Sequence, residues 1–445
     1  MTTKQPRPLQ KFKAPILLLA LAISAKAALA EPVIAPGSEG KASPATPNLE
    51  TPAVTLPKSS SPSQPALKGQ AVHVSTDATR ALTPEEMQKS SASLVGRFHG
   101  TWQMYLQNPC HTGVAQVELP APLTGKLRWS FPAEGPIDSS PAIFKGVVYV
   151  GSDDNNLYAV DERTGQMLWH TKLGDKVKSS PAITQNNLVI VGCEDTNVYA
   201  VDGRSGKIVW KFKTGDRVTG SPVIVDNVVY VGSFDGFVYA IDAQTGAEKW
   251  KAQTGGRITG SPSIGPGLVI AASHGGSVYA FSMTDGSTVW QHKTGNKVYP
   301  SPLIMGDTVY FGSWDKNFYA LDVATGKLKW KFAGNETFTI SPVGANGKIY
   351  VGNDDLKIYC LDAAHGKLIW KQQINSPVPL LSGTPVLAGN MLYMGSSDAN
   401  VYAIDTRNGG IKWKYKTQRP IASAPGVSVG GIFIGSQDGN LYAIN

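Results

Sequence analysis

From about residue 125 onward, short apolar runs alternate with turn residues at a fixed rhythm. Residues 139–178 serve as the model unit. Ser139-Ser140-Pro141-Ala142-Ile143-Phe144 reads as a short strand whose Pro stands near its start, where a missing N–H is tolerated. Lys145-Gly146 turns the chain into Val147-Val148-Tyr149-Val150-Gly151, a β-branched and aromatic run. Asp153-Asp154-Asn155 makes a second turn, Leu157 to Asp161 a third strand, and Arg163-Thr164-Gly165 a third turn into Gln166-Met167-Leu168-Trp169. No segment after residue 93 carries convincing helical periodicity.

The unit recurs. Trp129, Trp169, Trp210, Trp250, Trp290, Trp330, Trp370 and Trp413 follow one another at gaps of 40, 41, 40, 40, 40, 40 and 43 residues. Eight strand starts end in Pro, at 141, 181, 222, 262, 302, 342, 385 and 425. Four short strands per unit predict an all-β, eight-bladed β-propeller of four-stranded antiparallel blades. The eighth unit stops after its third strand, at Tyr442-Ala443-Ile444-Asn445, while Gly125 to Trp129 is a fourth strand with no first three before it. The two fragments complement each other. The N-terminal strand is therefore expected to complete the last blade and close the ring, which removes two exposed sheet edges.

The rest of the chain differs. Residues 1–30 carry Lys4, Arg7, Lys11, Lys13 and Lys26, no acid, a 12-residue apolar run and an Ala28-Leu29-Ala30 cleavage pattern. This is the form of a secretory signal peptide, too short in its apolar part to span a membrane, so no transmembrane anchor is expected after cleavage. Residues 31–92 are rich in Pro, Ser and Ala and poor in long apolar side chains, as expected of a disordered linker. The propeller takes residues 93–445. The net charge of +8 divides accordingly: +5 in the first segment, −1 in the second and about +4 in the propeller.

The pattern Ala159-x-Asp161-x-x-Thr164-Gly165-x-x-x-Trp169 resembles the tryptophan-docking motif of pyrroloquinoline quinone (PQQ) repeat propellers. It recurs at Ala200 to Trp210, Ala240 to Trp250 and Ala320 to Trp330, with looser copies ending at Trp290, Trp370 and Trp413. The segment Trp102 to Gly113 is similar to the lead-in before such propellers. The resemblance implies that the eight tryptophans pack between neighbouring blades while the Asp and Thr-Gly fix the turn. It leaves two functional branches. One is the periplasmic quinoprotein dehydrogenases, which hold PQQ and calcium above the ring axis and oxidise alcohols or sugars. The other is non-catalytic, BamB-like propellers of the cell envelope, which bind proteins.

The residues favour the second branch. The dehydrogenases typically carry a disulfide between adjacent cysteines, and Cys110, Cys193 and Cys360 are far apart. Their calcium ligands usually sit on long insertions, whereas the units here hold to 40 or 41 residues, with a largest excess of three before Trp413. The seven His show no HxH or HExxH spacing, and no nucleophile elbow or phosphate loop is evident. Asp154, Asp195, Asp235, Asp315, Asp355, Asp398 and Asp438 occupy the second turn, and Asp161, Asp202, Asp242, Asp322, Asp362 and Asp405 the docking turn. Both sets read as turn formers. Cys193 and Cys360 read as small buried residues. Cys110, in the lead-in, is left open between a bland residue and an accessible thiol that pairs between chains.

One feature is less bland. The connections between blades carry a basic third residue, Lys176, Arg217, Arg257 and Lys297, with Arg419 at the comparable place in the seventh, while Glu336 breaks the series. On one face these five would focus positive potential at the funnel mouth. Repeat duplication of a solvated residue would give the same pattern. Phe234, His274, Trp314 and Leu356 vary at the second turn and offer a partner surface or packing within the turn. The expectation is thus an exported, monomeric, non-catalytic scaffold or protein-binding module in the periplasm or cell exterior. Its partner would carry an acidic or anionic segment, and no catalytic, cofactor or metal residue is assigned. A PQQ- and calcium-dependent dehydrogenase is the alternative, and a glycan-binding propeller the third reading. Dispersed basic residues argue against nucleic acid.

Overall fold

The computed structural model describes residues 102–445 apart from 118, 120, 121 and 377–381. The signal peptide (1–30) and linker (31–92) expected from the sequence lie outside the described residues. Thirty-two strands, numbered β1–β32 in chain order, form eight four-stranded antiparallel sheets, and no helix occurs among the described residues.

The first blade comprises β2 (Ala142–Phe144), β3 (Val147–Gly151), β4 (Asn156–Asp161) and β5 (Met167–Lys172), in that spatial order. Burial falls from inside to outside: β2 is buried throughout, while β5 alternates exposed and half-buried residues. The bulge opposite Ala159 and Val160 turns both Met167 and Leu168 to solvent at the start of β5 and aims Trp169 at the next blade. The remaining units repeat this plan.

The ring closes as the strand count predicts. β1 (Leu127–Pro132) pairs with β32 (Asn440–Ile444), which leads inward to β31 (Gly431–Gly435) and β30 (Gly426–Ser428). Trp129 stands opposite Ala443 and Phe131 opposite Leu441. Beyond the strand, Thr124 and Lys126 each donate an N–H to the Asn445 carbonyl, and the Asn445 N–H returns to Lys126.

Each docking tryptophan joins its blade to the next. Trp129 Nε1 donates to the Glu162 carbonyl at 3.1 Å, and its ring packs on Gly165 so closely that a Cβ there would sit 2.6 Å from the indole. Gly165 also has φ +74°, which an L side chain rarely adopts. Trp169, Trp210, Trp250, Trp290, Trp330 and Trp370 repeat the bond at 2.9–3.1 Å. Trp413 has no third turn to reach in the closing blade and donates instead to Leu123, just ahead of β1. Within the turn, Asp161 Oδ1 accepts the Thr164 N–H and hydroxyl, both at 2.7 Å. The degenerate turns keep this logic: His365 supplies N–H and Nδ1 to Asp362, and Asp285 accepts from Ser287.

The second-turn aspartates are equally structural. Asp154 Oδ1 accepts the Asn156 N–H and Oδ2 the Tyr158 hydroxyl, and the same Asp–Tyr pair recurs from Asp195–Tyr199 to Asp438–Tyr442. In the fourth unit Gly275 stands in that place, and Tyr279 accepts the Gly255 N–H instead.

Candidate functional site: a blind axial funnel

The lead-in forms the floor. Trp102 exchanges backbone hydrogen bonds with Ile143, and the chain then passes the inner strands in blade order. Gln103 accepts from Ile183, Pro109 from Ile264, Cys110 from Ile304, Thr112 from Gly344 and Gly113 from Leu387. These inner strands have no other neighbour on their axial side, so the lead-in satisfies backbone groups that burial would otherwise strand. Cys110 is part of this floor, 1% exposed, with its thiol donating to the Ile264 carbonyl and its pKa pushed up to about 12 by burial. Of the two readings open for Cys110 the bland one holds: the inner strands cover it. Cys193 and Cys360 are buried as expected, and all three thiols are free.

Above the floor lies a ring of hydroxyls. Ser140 N donates to Ser180 Oγ, Ser180 N to Ser221 Oγ, Ser221 N to Ser261 Oγ, Ser261 N to Ser301 Oγ and Ser301 N to Ser341 Oγ, all at 2.8–3.0 Å. Thr384 takes the seventh place, and Ala424 N donates to Ser140 Oγ. Tyr105 rises from the lead-in to Thr384 Oγ1 (3.1 Å) and Ser341 Oγ (3.3 Å). The hydroxyls border an axial cavity of ≈ 250 Å³ that also touches Asp138, Lys178 and Tyr299. Its sequence signal was a hydroxyl residue one place before the strand-start Pro in seven of eight units.

The mouth is built from the connections and the second turns, which share one face because each turn residue bonds the connection entering its own blade. Glu194 N donates to the Lys176 carbonyl, Phe234 to Arg217, His274 to Arg257, Trp314 to Lys297, Asp354 to Thr337 and Gln437 to Pro420. Lys176, Arg217, Arg257 and Lys297 are therefore equivalent, on four consecutive connections. Arg419 is not their equivalent: Pro420 holds that place, and Arg419 stands one residue earlier, in a shallow groove with Glu134 and Gln437. In the connection after Trp330 the glycine, Gly334, comes one residue earlier than its counterparts, so the equivalent place falls on Thr337, and Glu336 pairs with Lys316 at 3.1 Å.

The four cations differ in company. Lys176 Nζ lies 3.2 Å from Asp153, which raises its pKa by accepting its hydrogen bond. Lys178 bridges Asp153 and Glu194 at 3.9 and 3.5 Å, and Arg217 reaches Glu194 at 3.9 Å. Arg257 instead lies over the Phe234 ring at 5.8 Å, and neither it nor Lys297 has a carboxylate partner among the described residues. Between these two connections Tyr299 packs against His274 (3.9 Å between ring centres) and Trp314 (4.6 Å, 18° between planes). Thr259 Oγ1 meets His274 Nε2 at 2.9 Å. Burial, then Lys297 and Arg257, lower the His274 pKa to about 4, so the ring is neutral at physiological pH. In the blade next to that of Trp314, burial raises the pKa of Asp354, held by Thr337 and by Thr339 at 2.7 Å, and across the mouth it raises that of Asp138, which accepts from Gln437 at 3.0 Å.

No three His, Cys, Asp or Glu side chains converge among the described residues. Calcium takes six to eight oxygens, usually several from carboxylates. The funnel's acids are spread around the wall and committed to threonines, lysines or Gln437. This donor set does not match a calcium–quinone pair.

Comparison with known proteins places these features in context. Residues 134–308 match the family model described as the β-propeller of beta-alanine-activating enzyme, and residues 331–445 match the outer membrane protein assembly factor BamB. No curated protein matches the chain. Among solved structures, BamB from Moraxella catarrhalis is 17% identical with a TM-score of 0.63, covering 72% of this chain and 99% of its own. A europium-containing methanol dehydrogenase is 17% identical at 0.66, covering 78% and 92%. The quinohemoprotein alcohol dehydrogenase ADHIIG from Pseudomonas putida HK5 is 16% identical at 0.65, covering 77% of each chain. Identities this low speak for the fold alone. With the docking motif repeated in register, all eight tryptophan clasps formed and the BamB model matched at its C-terminal end, the chain is an eight-bladed β-propeller whose repeats are similar to those of BamB-like PQQ-repeat propellers.

Proposed function

We propose that this propeller is a non-catalytic, exported module that binds an acidic or anionic segment of a partner protein at the funnel mouth, as a scaffold in the cell envelope. The observation that carries the reading is the run of four equivalent cations, Lys176, Arg217, Arg257 and Lys297, on consecutive connections around a funnel closed at its floor. A blind, low-dielectric funnel concentrates their potential on one side. The BamB likeness supports protein partners and an envelope location, and among the described residues no helix is long and apolar enough to cross a membrane. The module acts as a monomer, because closure leaves each blade paired within one chain.

Affinity capture from the native envelope tests this, with the Arg217→Glu/Arg257→Glu variant as control. A protein retained by the wild type and lost by the variant in matched salt is expected; unchanged capture removes the proposal. Incubation with PQQ and calcium, followed by absorbance and dye-linked alcohol oxidation, addresses the dehydrogenase reading, and turnover there would replace ours.

A further inference from the structure

The four equivalent cations do not form one uniform collar. Two sectors differ by the residue each second turn presents. On the first two blades the turn offers Asp153 and Glu194, and these acids neutralise Lys176, Lys178 and Arg217 at 3.2–3.9 Å. On the next three it offers Phe234, His274 and Trp314. There the cations keep their charge uncompensated and the turn residues add apolar surface. Arg257 is held by its cation–π contact with Phe234, which leaves the guanidinium fork free for a carboxylate. Lys297 projects from the residue whose carbonyl receives the Trp314 N–H. Tyr299, packed between His274 and Trp314, keeps the stack rigid.

We infer that the sector formed by Phe234, Arg257, His274, Lys297, Tyr299 and Trp314 is a docking site for a peptide segment in which acidic and aromatic residues adjoin. This rests on the protein-partner reading above and narrows it to one arc of the mouth. The acidic side chains pair with Arg257 and Lys297, and an aromatic neighbour lies against the Trp314 side of the stack. Preorganised Trp, Tyr and Arg side chains are the usual anchors of such contacts, because ordering them costs little on binding. Charge complementarity selects the acidic partner, and the neutral state of His274 keeps the stack apolar. An anionic glycan fits less well. Sugar hydroxyls need acceptors beside the aromatic face, and the nearby carboxylates are spent within the fold: Asp235 on Tyr239 and Gly215, Asp315 on Tyr319, Gly295 and Asn317.

The test is fluorescence anisotropy on the full chain with a labelled peptide of alternating Glu and Tyr. A Lys/Tyr peptide and an oligogalacturonate serve as the other probes. The Glu/Tyr peptide should bind, more weakly at high salt, and the Lys/Tyr peptide should not. Arg257→Gln/Lys297→Gln and Trp314→Ala should each weaken binding by ~10-fold or more, whereas Lys176→Gln/Arg217→Gln, which removes cations already paired with carboxylates, should weaken it clearly less. Trp314→Phe, which keeps a stacking ring, should recover most of the loss and controls for misfolding. Equal losses from both cation pairs would overturn the sector while leaving the wider rim reading intact. Tighter binding of the oligogalacturonate, or no binding of the Glu/Tyr peptide by a wild type that still captures its envelope partner, would overturn it as well.

Discussion

Replacing Ser221 with Ala removes one acceptor from the axial hydroxyl ring. Ser221 is 6% exposed, and its Oγ takes the Ser180 N–H at 3.0 Å. Alanine fits the space but leaves that N–H without its partner. A buried, unsatisfied donor costs about 1–3 kcal/mol. The low end applies if water from the axial cavity takes over the bond, because the ≈ 250 Å³ space borders Ser221 directly. With an m-value of about 3 kcal/mol/M in urea, a loss of ~1.5 kcal/mol moves the midpoint down by about 0.5 M. Ser221→Thr keeps the hydroxyl, as Thr384 does in the seventh unit, and should stay near the wild type. Urea unfolding followed by tryptophan fluorescence reads both. If Ser221→Ala matches the wild-type midpoint at equal m, the ring contributes nothing and its regularity is only a by-product of repetition.

Other outcomes follow from the same geometry. A chain starting at Ala133 lacks β1 and the lead-in, so it should be recovered as aggregate or multimer; a soluble, fully folded monomer in size-exclusion chromatography would refute closure. The hydroxyl and N–H of Thr164 hold the Asp161 carboxyl below the usual range, Ser205 does the same for Asp202, and Arg407 for Asp405. A folded pKa below the unfolded value gives stability that is present above about pH 4 and lost as pH falls through the folded values. Thermal scans should therefore show a falling midpoint on acidification below about pH 4, blunted in Asp161→Asn/Asp202→Asn. Asp354 has the opposite sign: burial raises its pKa, so its charged form weakens the fold as pH rises. Asp354→Asn keeps an acceptor for one of Thr337 and Thr339 and offers an amide N–H to the other hydroxyl, so it should match or exceed the wild-type midpoint at neutral pH.

The fold was legible because its signals are periodic. Trp, Pro and docking Asp recur in register, and the incomplete eighth unit told where the ring closes. The floor was not, since the lead-in touches six inner strands spread over 245 residues, from Ile143 to Leu387, and no local pattern marks such contacts. The place of Cys110 stayed open for that reason. At the mouth, counting from the preceding Gly located Lys176, Arg217, Arg257 and Lys297 correctly. It failed where Gly334 comes one residue early, which puts Thr337 and not Glu336 in the equivalent place, and where Gln418 replaces the Gly, which leaves Arg419 out of register. The division of the collar into neutralised and free cations was hidden too, because each cation reaches back to the turn of the blade before it, more than twenty residues away.

The lead-in and the closing seam also bear on biosynthesis. Tyr105 waits for Thr384, 279 positions later, and Ala424 must reach back 284 positions to Ser140. Thr124 meets Asn445 across 321. The earliest part of the propeller to leave the ribosome is thus the last to be secured, and contacts of such long range form slowly. A chain truncated before Asn440 would lack β32 and present an unpaired β1. Pairing of β1 with β32 thus couples the first strand of the propeller to its last, and a chain that stops short of β32 is expected to keep an open sheet edge.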